Sequence, residues 1–332
     1  MRTWSHGNVT RVTVGHPVLS LLQGSPKIGS EVSGVPAWQE AIPAFLNSLD
    51  VSSNTVRTYE EALKSFTRWL ASHDGTEAEP SPETVRAYRE WLKGERSANT
   101  VLTYWVALRR FFQYAVVNDH IQKNPVEGLK GLRRPRGHLR RDLTRGELRA
   151  VFEAIDTSTE LGKRDYAMIN LMARNGLRIV EIHRANVGDL EARQHRQIMR
   201  IWGKGRDERD EFVVLAEPTE AALDDYLDTR GAAASNEPLF TKASGSSPQG
   251  EARLSTRHIR RRITRYFELA GVKTDRTSVH SLRHSFVTLA IEGGATLMEA
   301  QAAARHRSIQ TTMVYFHEHG RLDNPVEDRI DI

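Results

Sequence analysis

The sequence predicts a mainly α-helical protein of two domains, the second of which carries a small β-sheet. Three observations support this prediction. Apolar residues recur at three- and four-residue spacing over most of the chain, one pair of β-branched runs lies beyond its middle, and a basic segment with Pro and Gly separates two helical stretches. The 332 residues suffice for two domains of ordinary size.

The first helical stretch follows a segment, residues 1–35, that is rich in Gly, Ser and Pro and is expected to be a flexible tail. Over residues 36–127 we expect a small all-helical domain. Polar capping residues or Pro precede each apolar stripe and predict helix starts near Ser53, at Pro82 and at Ser97.

A basic linker is expected at residues 128–141, and the second domain at 142–317. Thr144 followed by Glu147 predicts a capped helix start. Two apolar runs, Ile198–Trp202 and Glu211–Leu215, predict a hairpin with a long charged tip. Residues 318–332 are expected to form a C-terminal tail.

Composition excludes several classes of protein. Without cysteine the chain has no disulfides, thiol catalysis or cysteine-ligated zinc. It also has no run of about 18 apolar residues and no secretory signal, so we expect no membrane span and a cytoplasmic, nucleoid-associated location.

The net charge of +5 points only weakly to nucleic acid, but two basic runs add to it. Each run alone is as well explained by a solvated surface, whereas both together favour phosphate contacts. The residues predicted to contact DNA are Arg133, Arg134, Arg136, Arg140, Arg141, Arg257, Arg260 and Arg261.

Four short motifs lie in the second domain. They are Gly176-Leu177-Arg178 with Glu181, Gly203-Lys204-Gly205 at the hairpin tip, His280-Ser281-Leu282-Arg283-His284, and His306 with Tyr315 nine residues later. Each has an ordinary alternative when taken singly, such as a surface ion pair, a solvated lysine or a packed tyrosine. His280 and His284 have the spacing of zinc ligands, but Ser281 stands where a metalloprotease has Glu, so we expect no metal site.

The four motifs, in this order and near these spacings, resemble those of the tyrosine recombinase or phage integrase family. The resemblance extends from about Trp38 to His317 and implies a two-domain DNA clamp, in which a helical core-binding (SAM-like) domain precedes an α+β catalytic domain. It implies a site-specific recombinase that cuts and rejoins DNA through a 3′-phosphotyrosyl intermediate, without a cofactor. The expected partners are double-stranded DNA with short inverted repeats and further copies of the chain, as a homotetramer on paired sites and a monomer or dimer off DNA.

The resemblance assigns a role to each motif residue. Arg178 and Arg283 would stabilise the charge that develops on the phosphate, because guanidinium is permanently charged and binds two oxygens. Tyr315 would be the nucleophile, His280 a candidate base, Lys204 the general acid, and His306 a phosphate ligand. Glu181 would orient its neighbours.

Two other function classes share some of these features. A non-catalytic DNA-binding relative would need basic surfaces but not the full set of motif residues. A type IB topoisomerase would use the same chemistry without paired sites.

The chain departs from the family pattern in three places. Asn175 stands where Thr is usual, Arg305 replaces the Gly that normally precedes the His of the last motif, and residues 1–35, which are expected to be unstructured, are not expected to form the extra DNA-binding domain of larger phage integrases. We therefore expect a simple core recombinase of the Xer or Cre-like type.

Overall fold

The computed structural model describes residues 36–73, 79–132, 141–202, 209–242 and 253–315. Within it the chain divides into two units, Met1–Arg134 and Pro135–Ile332. The predicted tails at 1–35 and 318–332, and most of the predicted linker, lie outside the described residues.

The described part of the first unit is entirely helical. Its helices are α1 (Ala37–Glu40), α2 (Ile42–Asn47), α3 (Ser53–Ala71), α4 (Pro82–Glu95) and α5 (Ala98–Val117). The side chains of Ser52, Ser81 and Ser97 accept hydrogen bonds from backbone N–H groups and thereby cap the three longer helices. The three predicted helix starts are confirmed, although the first cap is Ser52 rather than the Ser53-Asn54 pair.

An aromatic core holds the first unit together. Trp38 packs against Phe66, Phe111 and Phe112 with ring centroids about 6 Å apart, and all four side chains are buried. Aromatic rings bury large apolar areas, so they can stabilise a unit of this size.

The second unit contains the remaining helices and one sheet. Its helices are α6 (Arg145–Glu153), α7 (Glu160–Arg174), α8 (Ile179–Arg184), α9 (Glu217–Arg230), α10 (Thr256–Leu269), α11 (Val279–Glu292) and α12 (Leu297–Ala304), and residues 309–315 are also helical. Thr144 and Glu147 form the predicted capping box at the start of α6.

The sheet has three antiparallel strands in sequential order, β1 (Leu190–Arg193), β2 (Arg196–Ile201) and β3 (Glu211–Val214). The predicted hairpin corresponds to β2 and β3. The sequence analysis missed β1 because its Leu-Glu-Ala-Arg sequence contains no β-branched residue and is half exposed. Backbone pairing with β2, from Leu190 opposite Met199, defines this strand instead.

Seven of the 14 residues of α11 are buried. Leu282 and Arg283 are buried, whereas Phe286 and Leu289 are partly buried and line a cavity of about 760 Å³.

Candidate active site

The site begins where α7 ends. Gly176 has a φ of +65°, and a Cβ atom at this position would lie 2.5 Å from the ring of Phe286, so only glycine fits. The preceding residue, Asn175, is buried and uses both ends of its amide, donating to the Val214 carbonyl at 2.7 Å and accepting from Thr219 at 2.8 Å. This turn fixes the chain just before Arg178.

Arg178 is the N-cap residue of α8 and pairs with Glu181 in its first turn. The Arg178 guanidinium donates to Oε1 of Glu181 at 2.8 Å, and its backbone N–H donates to Oε2 at 2.6 Å. A second guanidinium nitrogen donates to the Arg305 carbonyl at 3.2 Å. The Arg178 side chain remains 28% exposed, so part of its guanidinium is accessible to a ligand.

Arg283 lies on α11 with its guanidinium buried next to Arg178. It donates one hydrogen bond to the Gly176 carbonyl and another to the Ala304 carbonyl. Burial, followed by the charges of Arg178 and Arg305, lowers its pKa to about 9. The guanidinium is therefore still charged at neutral pH, and two backbone carbonyls fix its position.

Arg305 follows α12 and brings a third guanidinium to the same place. Its backbone is left-handed, with φ 55° and ψ 47°, and its side chain is 7% exposed. It donates to Oε2 of Glu181 at 2.7 Å and to the Gly176 carbonyl at 3.3 Å. We call Arg178, Arg283 and Arg305 the arginine cluster.

Tyr315 lies at the end of the described helix 309–315 and is buried against Val287 and Ala304. Its hydroxyl is hydrogen-bonded to Nδ1 of His284. Ala304, against which Tyr315 packs, also accepts a hydrogen bond from Arg283 through its carbonyl, so Tyr315 lies beside the arginine cluster.

His306 lies beside Tyr315 with the two rings nearly parallel, at an interplanar angle of 14° and a centroid separation of 6.5 Å. Its Nδ1 is hydrogen-bonded to the buried hydroxyl of Thr312 at 2.9 Å. This hydrogen bond fixes the orientation of the His306 ring.

The structure thus brings together five of the predicted site residues: Arg178, Glu181, Arg283, His306 and Tyr315. Of the other two predicted residues, Lys204 lies outside the described residues. His280 is exposed on α11 and lines a cavity of about 250 Å³ with Arg260 and Lys273.

Two residues that the sequence analysis did not assign belong to the site, His284 and Arg305. His284 directly follows Arg283, so its place in the third motif was visible although its contact was not. Arg305 was visible only as a departure from the expected glycine.

A second basic region lies on α10. Arg257, Arg260, Arg261 and Arg265 are exposed and, with Lys242 of a neighbouring loop, line a groove of about 1160 Å³. We call these four arginines the α10 basic face. Three of them, Arg257, Arg260 and Arg261, were predicted to contact DNA.

An ion network anchors α10 from its buried side. Asp165 of α7 is 1% exposed and accepts hydrogen bonds from Arg164 at 2.7 Å, from Arg262 at 2.6 Å and from the hydroxyl of Tyr266 at 2.9 Å. Burial and the Asp165 charge raise the pKa of Tyr266 to about 12. The hydrogen bonds and ion pairs with Asp165 therefore hold the side of α10 that lies opposite its basic face.

Of the linker arginines predicted to contact DNA, Arg133, Arg134, Arg136 and Arg140 lie outside the described residues. Arg141 is described, and its guanidinium forms a two-pronged ion pair with Glu147 at 2.7 and 2.8 Å. Hydrogen bonds from Arg141 and Thr144 lower the pKa of Glu147 to about 2.

Among the described residues, no three His, Asp or Glu side chains lie close enough together to hold a metal ion. No helix in the described part of the chain is long and apolar enough to cross a membrane.

Two family descriptions match the chain. The phage integrase family matches residues 141–321, and the SAM-like N-terminal domain of phage integrases matches residues 42–118. Tyrosine recombinase XerD of Yersinia pestis is 28% identical over 290 residues, which cover 85% of this chain and 92% of XerD. XerD of Xanthomonas campestris is 30% identical over 285 residues, which cover 83% and 87% of the two chains.

Solved structures share the fold. The XerH site-specific recombinase bound to palindromic difH substrate superposes with a TM-score of 0.69 at 21% identity, covering 87% of this chain and 84% of XerH. The lambda integrase tetramer bound to a Holliday junction gives a TM-score of 0.67 at 16% identity, covering 84% and 76%. These similarities confirm the predicted fold class, mainly helical with a small sheet.

Proposed function

Since the chain belongs to the phage integrase family, we propose that it is a site-specific DNA recombinase that cuts one strand at a time with Tyr315. The observation that carries this proposal is the position of the Tyr315 hydroxyl, hydrogen-bonded to His284 beside the arginine cluster. A nucleophile, a proton acceptor and fixed cations are the groups that cleavage of a phosphodiester requires.

In the proposed reaction the phenol oxygen of Tyr315 attacks the scissile phosphorus. A bond forms between that oxygen and phosphorus, the bond from phosphorus to the 5′-oxygen breaks, and the protein keeps the 3′-phosphate. The 5′-hydroxyl of a second strand then attacks the phosphotyrosyl link in the reverse sense and releases Tyr315. The energy of the original bond is kept in the link, so rejoining needs no cofactor.

Arg178 and Arg283 offset the negative charge of the phosphate in this scheme. Arg283 is held by two backbone carbonyls, so it need not reorganise when charge develops on the phosphate oxygens. Arg178 is the more accessible of the two, and Glu181 orients its guanidinium. His306, positioned by Thr312, donates a hydrogen bond to a phosphate oxygen.

The proton of Tyr315 has two candidate acceptors. His280 fits the family resemblance, and His284 holds the hydroxyl in this structure. A neutral His284 with its proton on Nε2 would accept the phenol proton directly at Nδ1. We favour His284 for the first transfer because no rearrangement of the described residues is needed.

Lys204 is proposed as the general acid that protonates the leaving 5′-oxygen, on the family resemblance alone. The described residues that flank the Lys204 loop are held in place by contacts of their own. Arg209 lies over the ring of Trp202 at 5.1 Å and forms an ion pair with buried Asp189 at 2.8 Å.

We propose that the α10 basic face and the linker residues Arg133, Arg134, Arg136 and Arg140 contact the DNA backbone, with the two units acting as a clamp. Arg141 is not included in this proposal, because Glu147 binds its guanidinium. The partner is double-stranded DNA with short inverted repeats, and four copies of the chain assemble on two paired sites, as in the lambda integrase tetramer on a Holliday junction. Residues 324–332 are proposed to dock on a neighbouring copy, and recombination is proposed to take place in the cytoplasm at the nucleoid.

Paired sites provide the test of this function. Genomic DNA fragments bound by the protein are recovered, the covalently trapped sites are mapped, and a plasmid with two such sites is incubated with the protein. We expect strand exchange only when both sites are present. Relaxation of supercoils on a plasmid without sites would instead identify a topoisomerase, and specific binding without any covalent adduct would identify a non-catalytic DNA-binding protein.

A further inference from the structure

Position 305 combines two features that each cost free energy. A non-glycine residue in the left-handed region is uncommon, and a guanidinium that is 7% exposed has lost most of its hydration. Burial is also the main reason why the pKa of Arg305 falls below its usual range. Glycine, which is the usual residue at this position in the phage integrase family, would avoid both costs. The presence of arginine therefore calls for an explanation.

The contacts of Arg305 converge on Glu181 and the turn before Arg178. One terminal nitrogen donates to Oε2 of Glu181 at 2.7 Å and to the Gly176 carbonyl at 3.3 Å. The other donates to the Ala303 carbonyl at 3.1 Å, and Nε faces Glu211 of β3 at 3.8 Å. Both terminal nitrogens therefore have protein partners, which makes Arg305 a positioning residue rather than a direct ligand of a phosphate.

Glu181 has to serve two guanidinium groups at once. Its Oε1 accepts from Arg178, and its Oε2 accepts from Arg305 as well as from the backbone of Arg178. If Arg178 were its only partner, the carboxylate would cancel the charge of the one accessible cation in the cluster. Arg305 supplies a second positive charge to the same carboxylate.

We propose that Arg305 is a positioning residue that neutralises Glu181 and so keeps the charge of Arg178 available to the scissile phosphate. Arg178, Arg283, Arg305 and Glu181 together carry a net charge of +2, and Glu211, which is 42% exposed and 3.8 Å from Arg305, is screened by solvent. The phosphodiester carries one negative charge and gains a second as a phenolate attacks, so this net charge matches the transition state. The inference rests on the proposed recombinase function and adds to it a residue that the motifs do not include.

Three variants test the role of the charge. Arg305→Met removes the charge but keeps much of the buried aliphatic chain, Arg305→Gly also relieves the left-handed backbone, and Arg305→Lys keeps the charge. In single-turnover cleavage of a nicked suicide substrate we expect Met and Gly to lose ~10–100-fold in rate and Lys to lose less, with DNA binding unchanged. If Arg305→Gly fails to fold, Arg305→Met and Arg305→Lys still give the comparison.

The decisive measurement is the double variant Arg305→Met with Glu181→Gln, which has the same net charge as the wild type. If Arg305 acts by neutralising Glu181, the second change restores at least part of the rate lost in Arg305→Met. A double variant no faster than Arg305→Met would overturn the inference, as would wild-type cleavage by Arg305→Met alone. Failure of the wild-type protein itself to form an adduct would instead count against the proposed function.

Discussion

Arginine occurs in two contrasting settings in the second unit. In the arginine cluster the guanidinium groups are wholly or largely buried, and backbone carbonyls and Glu181 fix them. On the α10 basic face the arginines are exposed along a groove. Fixed, desolvated cations suit the stabilisation of a transition state, whereas exposed cations suit graded contacts with a DNA backbone. Exposure, rather than residue type, therefore separates the two proposed roles.

Helix α10 has arginines of both kinds. Arg262 donates a hydrogen bond to buried Asp165, and the same helix presents the exposed basic face. Asp165→Asn leaves Arg164, itself 2% exposed, without a counter-charge. We expect the free energy of unfolding to fall by ~3–5 kcal/mol in denaturant titrations. Arg261→Gln, at an exposed position of the same helix, is the control and should change the free energy of unfolding by less than about 0.5 kcal/mol. Equal effects of both changes would mean that the network does not anchor the helix.

Removal of a buried cation should affect the chemical step more than binding. Arg283→Ala is expected to slow single-turnover cleavage by ~10²–10³-fold, as loss of a fixed donor to a developing charge does. Arg178→Ala should be similar, while the affinity for DNA stays nearly constant in both. A parallel loss of affinity and rate would place these arginines with the binding surface instead.

The two histidines of the third motif provide a sharper contrast, because His284 holds Tyr315 and His280 is exposed on the same helix. We expect His284→Gln to slow adduct formation by ~10²-fold, the lower range for loss of a general base. His280→Gln should have the smaller effect on this step. The reverse order would return the base role to His280.

The α10 basic face should act through salt-dependent binding. Replacing Arg257, Arg260 and Arg261 with Gln is expected to flatten the log–log salt dependence of DNA binding by up to ~0.9 per lost phosphate contact. Arg141→Gln is the matched control, because its guanidinium is engaged by Glu147. An unchanged slope in the triple variant would leave the basic face without a DNA contact.

The Arg141→Gln variant should also change how the stability of the folded chain depends on pH. Because hydrogen bonds from Arg141 and Thr144 lower the pKa of Glu147 to about 2, from an ordinary value of 4.5, this ion pair stabilises the folded chain above pH 4.5. That stability is lost as the pH falls towards 2. Arg141→Gln should therefore lower the free energy of unfolding near neutral pH. The difference in this free energy between the variant and the wild type should become smaller as the pH falls.

Much of the fold was predictable because helical periodicity and capping residues are local signals. The family resemblance, carried by four motifs, is confirmed by the family matches. The strand β1 was missed because partner strands, not its own residues, define it.

The site was predictable as a set of residues but not as a set of contacts. Sequence spacing placed Arg178 near Glu181, since both lie within one helical turn. It could not show that His284 holds Tyr315 across 31 residues or that Arg305 reaches Glu181 across 124, because both contacts depend on how α8, α11 and the chain after α12 pack. The sequence showed that an arginine stands at position 305 in place of the usual glycine, but it could not show which contacts this arginine makes.

The proposed function depends on Tyr315, held beside the arginine cluster, as the nucleophile. The direct measurement is mass spectrometry of the protein–DNA adduct trapped on a nicked suicide substrate, with Tyr315→Phe as the control. We predict that the nucleotide is attached through its 3′-phosphate to the peptide containing Tyr315, and that Tyr315→Phe binds the same DNA but forms no adduct. An adduct on any other residue, or one that persists in Tyr315→Phe, would contradict the account.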